Sequence, residues 1–229
     1  WDLSRASAIE MYAPSAQEIS HDNIAPVMEW LRKETRGLIP AGVVVPACHA
    51  QAVIDETIGC EPDFYVVDAQ WTDNSRSSAI FPELEGPPDM GALTDTVEHL
   101  RMHRKEEIIP VIFRGGIRCG ADAGKAICLG ASAVTLGVTS VIGMGFKLVV
   151  IDDEAGLLEK IQKSLDTSEV MSRVANVAKS ITIEVTMLAR ACGKSSVRNM
   201  EPEDLRALSI EVSQLTGVPI VGTDLDFRT

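Results

Sequence analysis

The chain has 229 residues, 45% of them hydrophobic, and is therefore long enough to bury a sizeable core. With a formal net charge of -12, the chain would be repelled by a phosphate backbone or an anionic bilayer, which argues against nucleic acid and membranes as partners. The 5 cysteines include no CxxC pair, so no zinc site or disulfide framework is predicted, and the free thiols of a cytoplasmic protein are expected.

The first part of the chain predicts a helix followed by a parallel βαβ unit. Residues 1–22 mix Ser, Ala and Pro without a helical or strand-like hydrophobic periodicity and indicate an arm or loop. Residues 23–33 place apolar side chains on one helical face. Apolar runs at 42–47 and 63–68 are typical of buried strands, and residues 50–58 between them can form a helix. Two strands joined by such a helix pair in parallel.

A long segment at 69–91 comes next and is rich in Pro and small polar residues. Loops of this length inside a compact domain are commonly lids or binding segments, or they are disordered. A helix is predicted over 92–103, because Leu93, Val97 and Leu100 share one helical face.

The stretch from 108 to 145 carries the most informative pattern in the chain. An almost unbroken apolar run at 108–113 predicts a strand that is buried on both faces. After a glycine turn, residues 122–129 can form a helix that closes at Gly130, and residues 133–136 form a second short strand.

Glycines follow both of these strands, at Gly115 and Gly116 and again at Gly137. Successive strands of a parallel sheet bring such loops to the same edge. Their amides can bind a phosphate dianion without any charged side chain. The pattern therefore predicts a phosphate-binding corner.

The C-terminal part of the chain is predicted to be mainly helical. Residues 146–151 form one more strand-like piece, and amphipathic helices are expected over 154–165 and 169–190. Pro202 at a first helical position predicts a last helix over 203–215.

Two blocks of sequence resemble the FMN domain of the glutamate synthase family. The first, beginning at Gly115, is GGIRCGADAGKAICLGASAVTLG, which is similar to the last two strand-loop units of FMN-binding (β/α)8 barrels in general. The second, beginning at Glu184, is EVTMLARACGKSSVRNMEPEDLRALSIEVSQLTGVPIVGT, which resembles the C-terminal extension of the archaeal and methylotroph glutamate synthase-like group. The second block narrows the resemblance to that group.

The resemblance implies an α/β fold of the (β/α)8 TIM-barrel type. Only four parallel strands are predicted, near Val44, Val66, Val111 and Thr135, whereas a closed barrel has about eight in about 250 residues. We therefore expect the C-terminal half of a barrel over 1–150 and a helical C-terminal extension over 151–229. Because the chain begins at Trp1 without a Met, a fragment is expected, with the first half-barrel upstream or on a partner subunit.

FMN is the cofactor that the resemblance implies, with its phosphate held by the two glycine corners. The family pattern places six residues at the cofactor, namely Gly115, Gly116, Arg118, Gly137, Val138 and Thr139, and Arg114 beside them is a further candidate through pairing with phosphate. His49, which follows the first strand, is a further candidate as a hydrogen-bond donor to flavin or substrate. The alternative for His49 is a structural histidine at a helix N-terminus, satisfied by the backbone.

Three departures from the family pattern bear on this expectation. Arg114 stands where the family usually carries an acidic residue, and it is expected to pair with phosphate or with Glu83 and Glu85. Pro46 stands where a lysine near the flavin is expected, and the Gly-rich segment after the second strand is missing. The stretch 143–156 contains no cysteine, so no iron-sulfur cluster is expected there.

Two functions remain open on this basis. The first is an FMN-dependent oxidoreductase that converts 2-oxoglutarate and ammonia or an amine, as small-molecule substrates, into glutamate or an N-alkylglutamate. The second is a degenerate, non-redox barrel subunit that serves as a structural or regulatory partner and keeps the phosphate-binding corner. The departures favour the second function, and the intact glycine corners favour retained phosphate binding.

Overall fold

The computed structural model describes residues 24–47, 50–69, 90–145 and 166–225. The predicted arm at 1–22, most of the loop at 69–91, the strand-like piece at 146–151 and the helix at 154–165 lie outside these ranges. The helices and strands are, in chain order, α1 (Ile24–Thr35), β1 (Gly42–Pro46), α2 (Ala50–Thr57), β2 (Phe64–Asp68), α3 (Gly91–Met102), β3 (Val111–Arg114), α4 (Gly120–Cys128), β4 (Ala133–Val134), α5 (Val138–Gly143), α6 (Thr167–Ala191) and α7 (Ile210–Thr216).

The described residues form a sheet of four parallel strands in the order β1-β2-β3-β4, and the four parallel strands predicted from the sequence are confirmed. One row of register partners runs across it through Val44, Val66, Ile112 and Ala133. Because sequential strands are neighbours and run in the same direction, the segments that follow each strand all emerge at one rim. That rim carries the candidate site.

The two faces of the sheet differ in burial. Val45, Tyr65 and Phe113 point toward the surrounding helices and are buried. The opposite face carries the row that includes Val44, which is 57% exposed. In a closed barrel this second face would point inward and be covered by the other strands. Four strands do not close a barrel, so in the described residues the face is open.

Strand β3 begins later than the apolar run predicted. Ile108 is 67% exposed, and the amide of Ile109 donates to the carbonyl of Lys105 at 2.9 Å, so these residues end the turn after α3. Pro110 has no amide to donate and stands just before the strand. Hydrophobicity alone did not separate the turn from the strand.

The helix predicted over 203–215 is wrong in its first half, and the second half is confirmed as the helix Ile210–Thr216. Pro202–Asp204 forms only a 3-10 turn, in which the Asp204 carboxylate accepts from the amide of Glu201 at 2.9 Å. The chain is then extended at Leu205, and Ala207 forms a parallel bridge with Ile220. Helix α7 starts afresh after Ser209, whose hydroxyl caps it.

Helix α6 packs against α4, and the two elements share one hydrophobic core. Ile181, Val185 and Ala189 of α6 are buried in the same cluster as Ala123 and Ala126 of α4. The described part of the C-terminal extension is therefore continuous with the barrel-like part. Among the described residues, no helix combines the length and apolar character that crossing a bilayer requires.

The thiols of Cys128 and Cys192 are expected to react at very different rates. Burial raises the pKa of Cys128 to about 11, whereas Cys192 is exposed at the end of α6. Since the thiolate is the reactive form, Cys128 should be inert at pH 8. In labelling with a chromogenic disulfide, the Cys192→Ser variant should show one fast-reacting thiol fewer than the unsubstituted chain. The Cys128→Ser variant should show the same number as the unsubstituted chain. Loss of a fast thiol in Cys128→Ser would contradict the packing of α4.

Candidate functional site

The two glycine corners lie side by side at the same rim of the sheet. The first corner follows β3 directly, and the second connects β4 to α5. Since β3 and β4 are hydrogen-bonded neighbours, both corners leave adjacent strands. The hydroxyl of Thr139 in α5 donates to the carbonyl of Ile117 in the first corner, which joins the two directly.

The backbone amides of these corners take no part in the hydrogen bonding of the described residues, although Gly115 itself is buried. Among the described residues, none accepts a hydrogen bond from the amide of Gly115, Gly116 or Gly137. A Cβ added at Gly116 would meet no atom within 4 Å, whereas one at Gly115 would lie 2.8 Å from the Phe113 ring. Gly115 is thus required by packing, and Gly116 faces open space.

The N-terminus of α4, next to the first corner, is occupied by the protein's own carboxylate. Glu184 of α6 accepts from the amides of Gly120 at 2.7 Å and Ala121 at 3.2 Å. An anion at this helix end would compete with Glu184 for the same donors. Sequence reasoning missed this contact, because a cap that comes from 64 residues away leaves no local signal.

The side chain of Arg118 is directed at α4, the helix that follows it in the chain. Its Nε lies 2.9 Å from Oδ2 of Asp122, and its backbone amide donates to the same oxygen at 3.2 Å. The Arg118 side chain is 81% exposed, whereas that of Asp122 is only 8% exposed. This pair fixes the loop between β3 and α4, so the most direct role of Arg118 in the structure is to hold the first corner in place.

The contribution of Asp122 to stability is expected to fall in acid. The hydrogen bond from Arg118 lowers the pKa of Asp122, so the folded state favours the charged form. This stabilisation is present above the unfolded pKa of about 3.9 and is lost as the pH falls through the folded value. Asp122→Asn should therefore cost about 1–3 kcal/mol near pH 7. Urea unfolding should show the difference from the unsubstituted chain shrinking toward pH 3, and a pH-independent difference would contradict the pairing.

Arg114 pairs across the sheet with Asp68. Their side chains are 3.4 Å apart, and the two residues are register partners at the ends of β3 and β2. Glu83 and Glu85, the acidic partners considered from the sequence, lie outside the described residues. The ion pair places a positive and a negative group together at the rim, which lowers the field that an unpaired arginine would create there.

The remaining predicted residues are distributed as follows. His49 lies outside the described residues, and the backbone of Val138 begins α5. Pro46 ends β1 and is exposed, so the position of the expected lysine carries no charge. The hydroxyl of Thr135, directly after β4, is buried and has no hydrogen-bond partner among the described residues. Such an atom favours a ligand or water at the rim.

A cavity of about 700 Å³ lies elsewhere, between α4, α6 and the edge strand β4. It is lined largely by apolar side chains, including Ile127, Ile181 and Val185, with Arg198 among its polar residues. None of its lining residues belongs to the two glycine corners. The cavity is therefore a feature of the helix packing and of the open sheet edge.

Comparison with known proteins identifies the family. The model of the conserved region in glutamate synthase matches residues 13–195. The chain belongs to the glutamate synthase family. A glutamate synthase large subunit-like protein of Rhizobium meliloti (strain 1021) is 33% identical over 187 residues, which are 70% of this chain and 42% of that protein. The archaeal glutamate synthase [NADPH] of Methanocaldococcus jannaschii is 28% identical over 213 residues, 89% of this chain and 42% of that protein.

Solved structures agree on the fold of this glutamate synthase family member. A flavocytochrome b2 variant with pyruvate bound has a TM-score of 0.57 at 19% identity, covering 91% of this chain and 42% of that one. A putative lactate oxidase of Pediococcus acidilactici has a TM-score of 0.53 at 18% identity, covering 87% and 44%. The fold is thus that of a partial (β/α)8 barrel, and the chain spans less than half the length of the proteins it matches.

Proposed function

We propose that this chain forms part of an FMN-dependent, glutamate synthase-like oxidoreductase, and that its two glycine corners anchor the phosphate of FMN. The observation that carries the proposal is the contact between the corners, in which Thr139 donates to the Ile117 carbonyl. It holds the amides of Gly115, Gly116 and Gly137 on one rim. Amides grouped in this way are suited to a phosphate dianion.

The residues around the corners fit FMN in three respects. Gly116 leaves open space for a close approach of the phosphate to the backbone. The uncommitted hydroxyl of Thr135 offers a polar partner beside the second corner. Glu184 already neutralises the N-terminus of α4, so a phosphate would bind to the loop amides and not to that helix.

When bound, FMN would supply hydride or electron transfer, and the protein would supply anchoring and orientation. Arg118 and Asp122 would fix the first corner, and the Arg114–Asp68 pair would form part of the rim on which the ligand rests. From the family, the substrates are 2-oxoglutarate with ammonia or an alkylamine, and the product is glutamate or an N-alkylglutamate.

A second half-barrel would complete the sheet. Strands β1 and β4 are the two edges of the described sheet, and the apolar face with Val44 is open to solvent. The chain covers 42% of the length of each of the two relatives named above, and the described sheet has four strands where a closed barrel has about eight. We therefore place the partner, an N-terminal half-barrel of the same family, against this face and these edges.

The experiment is to measure FMN binding with and without that partner. The chain alone and the chain co-expressed with the N-terminal half of a family member would be purified, given FMN and desalted. Retention of flavin absorbance supports the proposal, and formation of 15N-glutamate from 2-oxoglutarate and 15N-ammonium with a chemical reductant supports the oxidoreductase function. A complex that shows no flavin absorbance after treatment with excess FMN and desalting would overturn the proposal.

A non-redox barrel subunit is the second candidate function. The ion pair of Arg114 with Asp68 favours it, because the rim then lacks the free acidic group that the family pattern places after β3. Pro46 favours it as well, since that position offers no cation. Inorganic phosphate that binds to the glycine corners of a complex unable to retain FMN would support this second candidate.

A further inference from the structure

Two histidines and an aspartate converge on the helical side of the molecule. Asp55 belongs to α2, His99 lies in the last turn of α3, and His103 is the residue that caps the same helix. Nε2 of His99 lies 2.8 Å from Oδ1 of Asp55, and Nε2 of His103 lies 3.0 Å from the same oxygen. One ligand-type atom from each residue falls within 4.8 Å of the others.

We propose that Asp55, His99 and His103 form a binding site for a divalent transition-metal ion of the zinc type. Histidines at i and i+4 of a helix present their imidazoles on the same side, which is the spacing that helical zinc sites use. A carboxylate from a neighbouring helix completes a set of three ligands. Two imidazole nitrogens and one carboxylate oxygen suit zinc better than magnesium or calcium, which prefer oxygen ligands alone.

The geometry requires only a small adjustment. Two ligand atoms that each lie about 2.1 Å from a tetrahedral ion are about 3.4 Å apart. The present separations of 2.8 and 3.0 Å are shorter, so Asp55 must retreat by about half an ångström. The Asp55 side chain is 55% exposed and has room to do so.

Charge and access at the cluster suit a cation. Oδ1 of Asp55 lies within hydrogen-bond distance of both imidazoles and supplies the carboxylate oxygen of the ligand set. The C-terminal end of α3, where both histidines lie, is the end of a helix that favours positive charge. The side chain of His103 is 36% exposed, which leaves the outer positions of the ion open to water.

The two histidines should not contribute equally to affinity. Nδ1 of His99 is buried and has no hydrogen-bond partner among the described residues. An imidazole that binds a metal through Nε2 carries its proton on Nδ1 and normally donates it to an acceptor. His99 is therefore the weaker ligand, and moderate affinity is expected.

The site would join α2 to α3 on the side of the sheet away from the open face. An ion bound there would stabilise the folded chain by mass action, because the unfolded chain does not hold the three ligands together. This inference uses none of the residues of the glycine corners, so it stands or falls independently of FMN binding.

The experiment is titration of the metal-free chain with Zn²⁺ by calorimetry, with Co²⁺ absorption as a spectroscopic check. One equivalent should bind, and Asp55→Asn, His99→Gln and His103→Gln should each weaken binding by at least about tenfold, with His103→Gln weakening it most. The matched control for Asp55→Asn is Glu203→Gln, which removes an exposed carboxylate of the 3-10 turn Pro202–Asp204, outside the cluster, and should bind Zn²⁺ like the unsubstituted chain. Circular dichroism establishes that each variant is folded.

Two results would overturn the proposal. The first is the absence of saturable Zn²⁺ binding by the folded chain. The second is one-equivalent binding that His99→Gln and His103→Gln leave unchanged, since the ion would then lie elsewhere. In either case the trio acts only as a hydrogen-bonded link between the two helices.

Discussion

Replacing Gly116 with aspartate is expected to abolish FMN binding while leaving the fold intact. The residue is exposed, and a Cβ at this position meets no atom of the described residues within 4 Å, so the substitution introduces no clash with them. It does bring a carboxylate beside the proposed phosphate dianion. Like charges in direct apposition cost several kcal/mol, which corresponds to at least about a 100-fold loss of affinity. Flavin fluorescence titration of the complex with the N-terminal half-barrel would measure this loss of FMN affinity.

Gly59 provides the matched control for this substitution. It also has no atom within 4 Å of an added Cβ, but it lies in the 3-10 turn Ile58–Cys60, which precedes β2. Gly59→Asp adds the same charge to the chain and should leave FMN affinity within about twofold, because the charge is screened beyond a Debye length. Equal losses in both variants would point to net charge as the cause and contradict the assigned phosphate position.

Gly120→Ala is expected to be the most destabilising single methyl addition near the site. The new Cβ would lie closer to the Glu184 side chain than van der Waals contact allows, at 2.8 Å from its Cγ. Helices α4 and α6 would therefore have to separate. Overpacking of this kind costs about 1–3 kcal/mol, and weakening the Glu184 cap adds about 1 kcal/mol. Thermal unfolding should report a decrease in Tm of about 2–4 °C per kcal/mol.

Gly124→Ala in the same helix is the control. Its Cβ would meet only the flexible ends of Leu188 at 3.3 Å and Met200 at 3.7 Å. Since alanine is a better helix former than glycine by about 1 kcal/mol, this variant should be as stable as the unsubstituted chain or more so. Equal destabilisation by both substitutions would show that the contact of Gly120 with Glu184 is not the cause.

Most of the fold follows from local patterns in the sequence. The apolar runs at 42–47 and 63–68 predicted β1 and β2 to within one residue at each end, because buried parallel strands are continuous in hydrophobicity. The errors arose where a tertiary contact overrides the pattern. The bridge between Ala207 and Ile220 keeps the chain extended beyond Asp204, and no helical period reveals such a pairing in advance.

Less of the candidate site than of the fold could be predicted from the sequence. The glycine corners could be located, because turns between a strand and a helix favour a small set of residue types that includes glycine. The pairing of Arg114 with Asp68 needs the strand register, and the Glu184 cap needs the packing of α6 on α4. Both contacts join residues that are distant in the chain, so sequence spacing carries no information about them.

If the two glycine corners together hold one phosphate, their backbone amides must respond to FMN as a group. The decisive measurement follows the amide resonances of the 15N-labelled chain, in its complex with the N-terminal half-barrel, during titration with FMN. The amides of Gly115, Gly116 and Gly137 should shift together and saturate at one equivalent, while that of Gly59 stays in place. Saturable binding that leaves these three amides unmoved would contradict a phosphate site shared by the two corners.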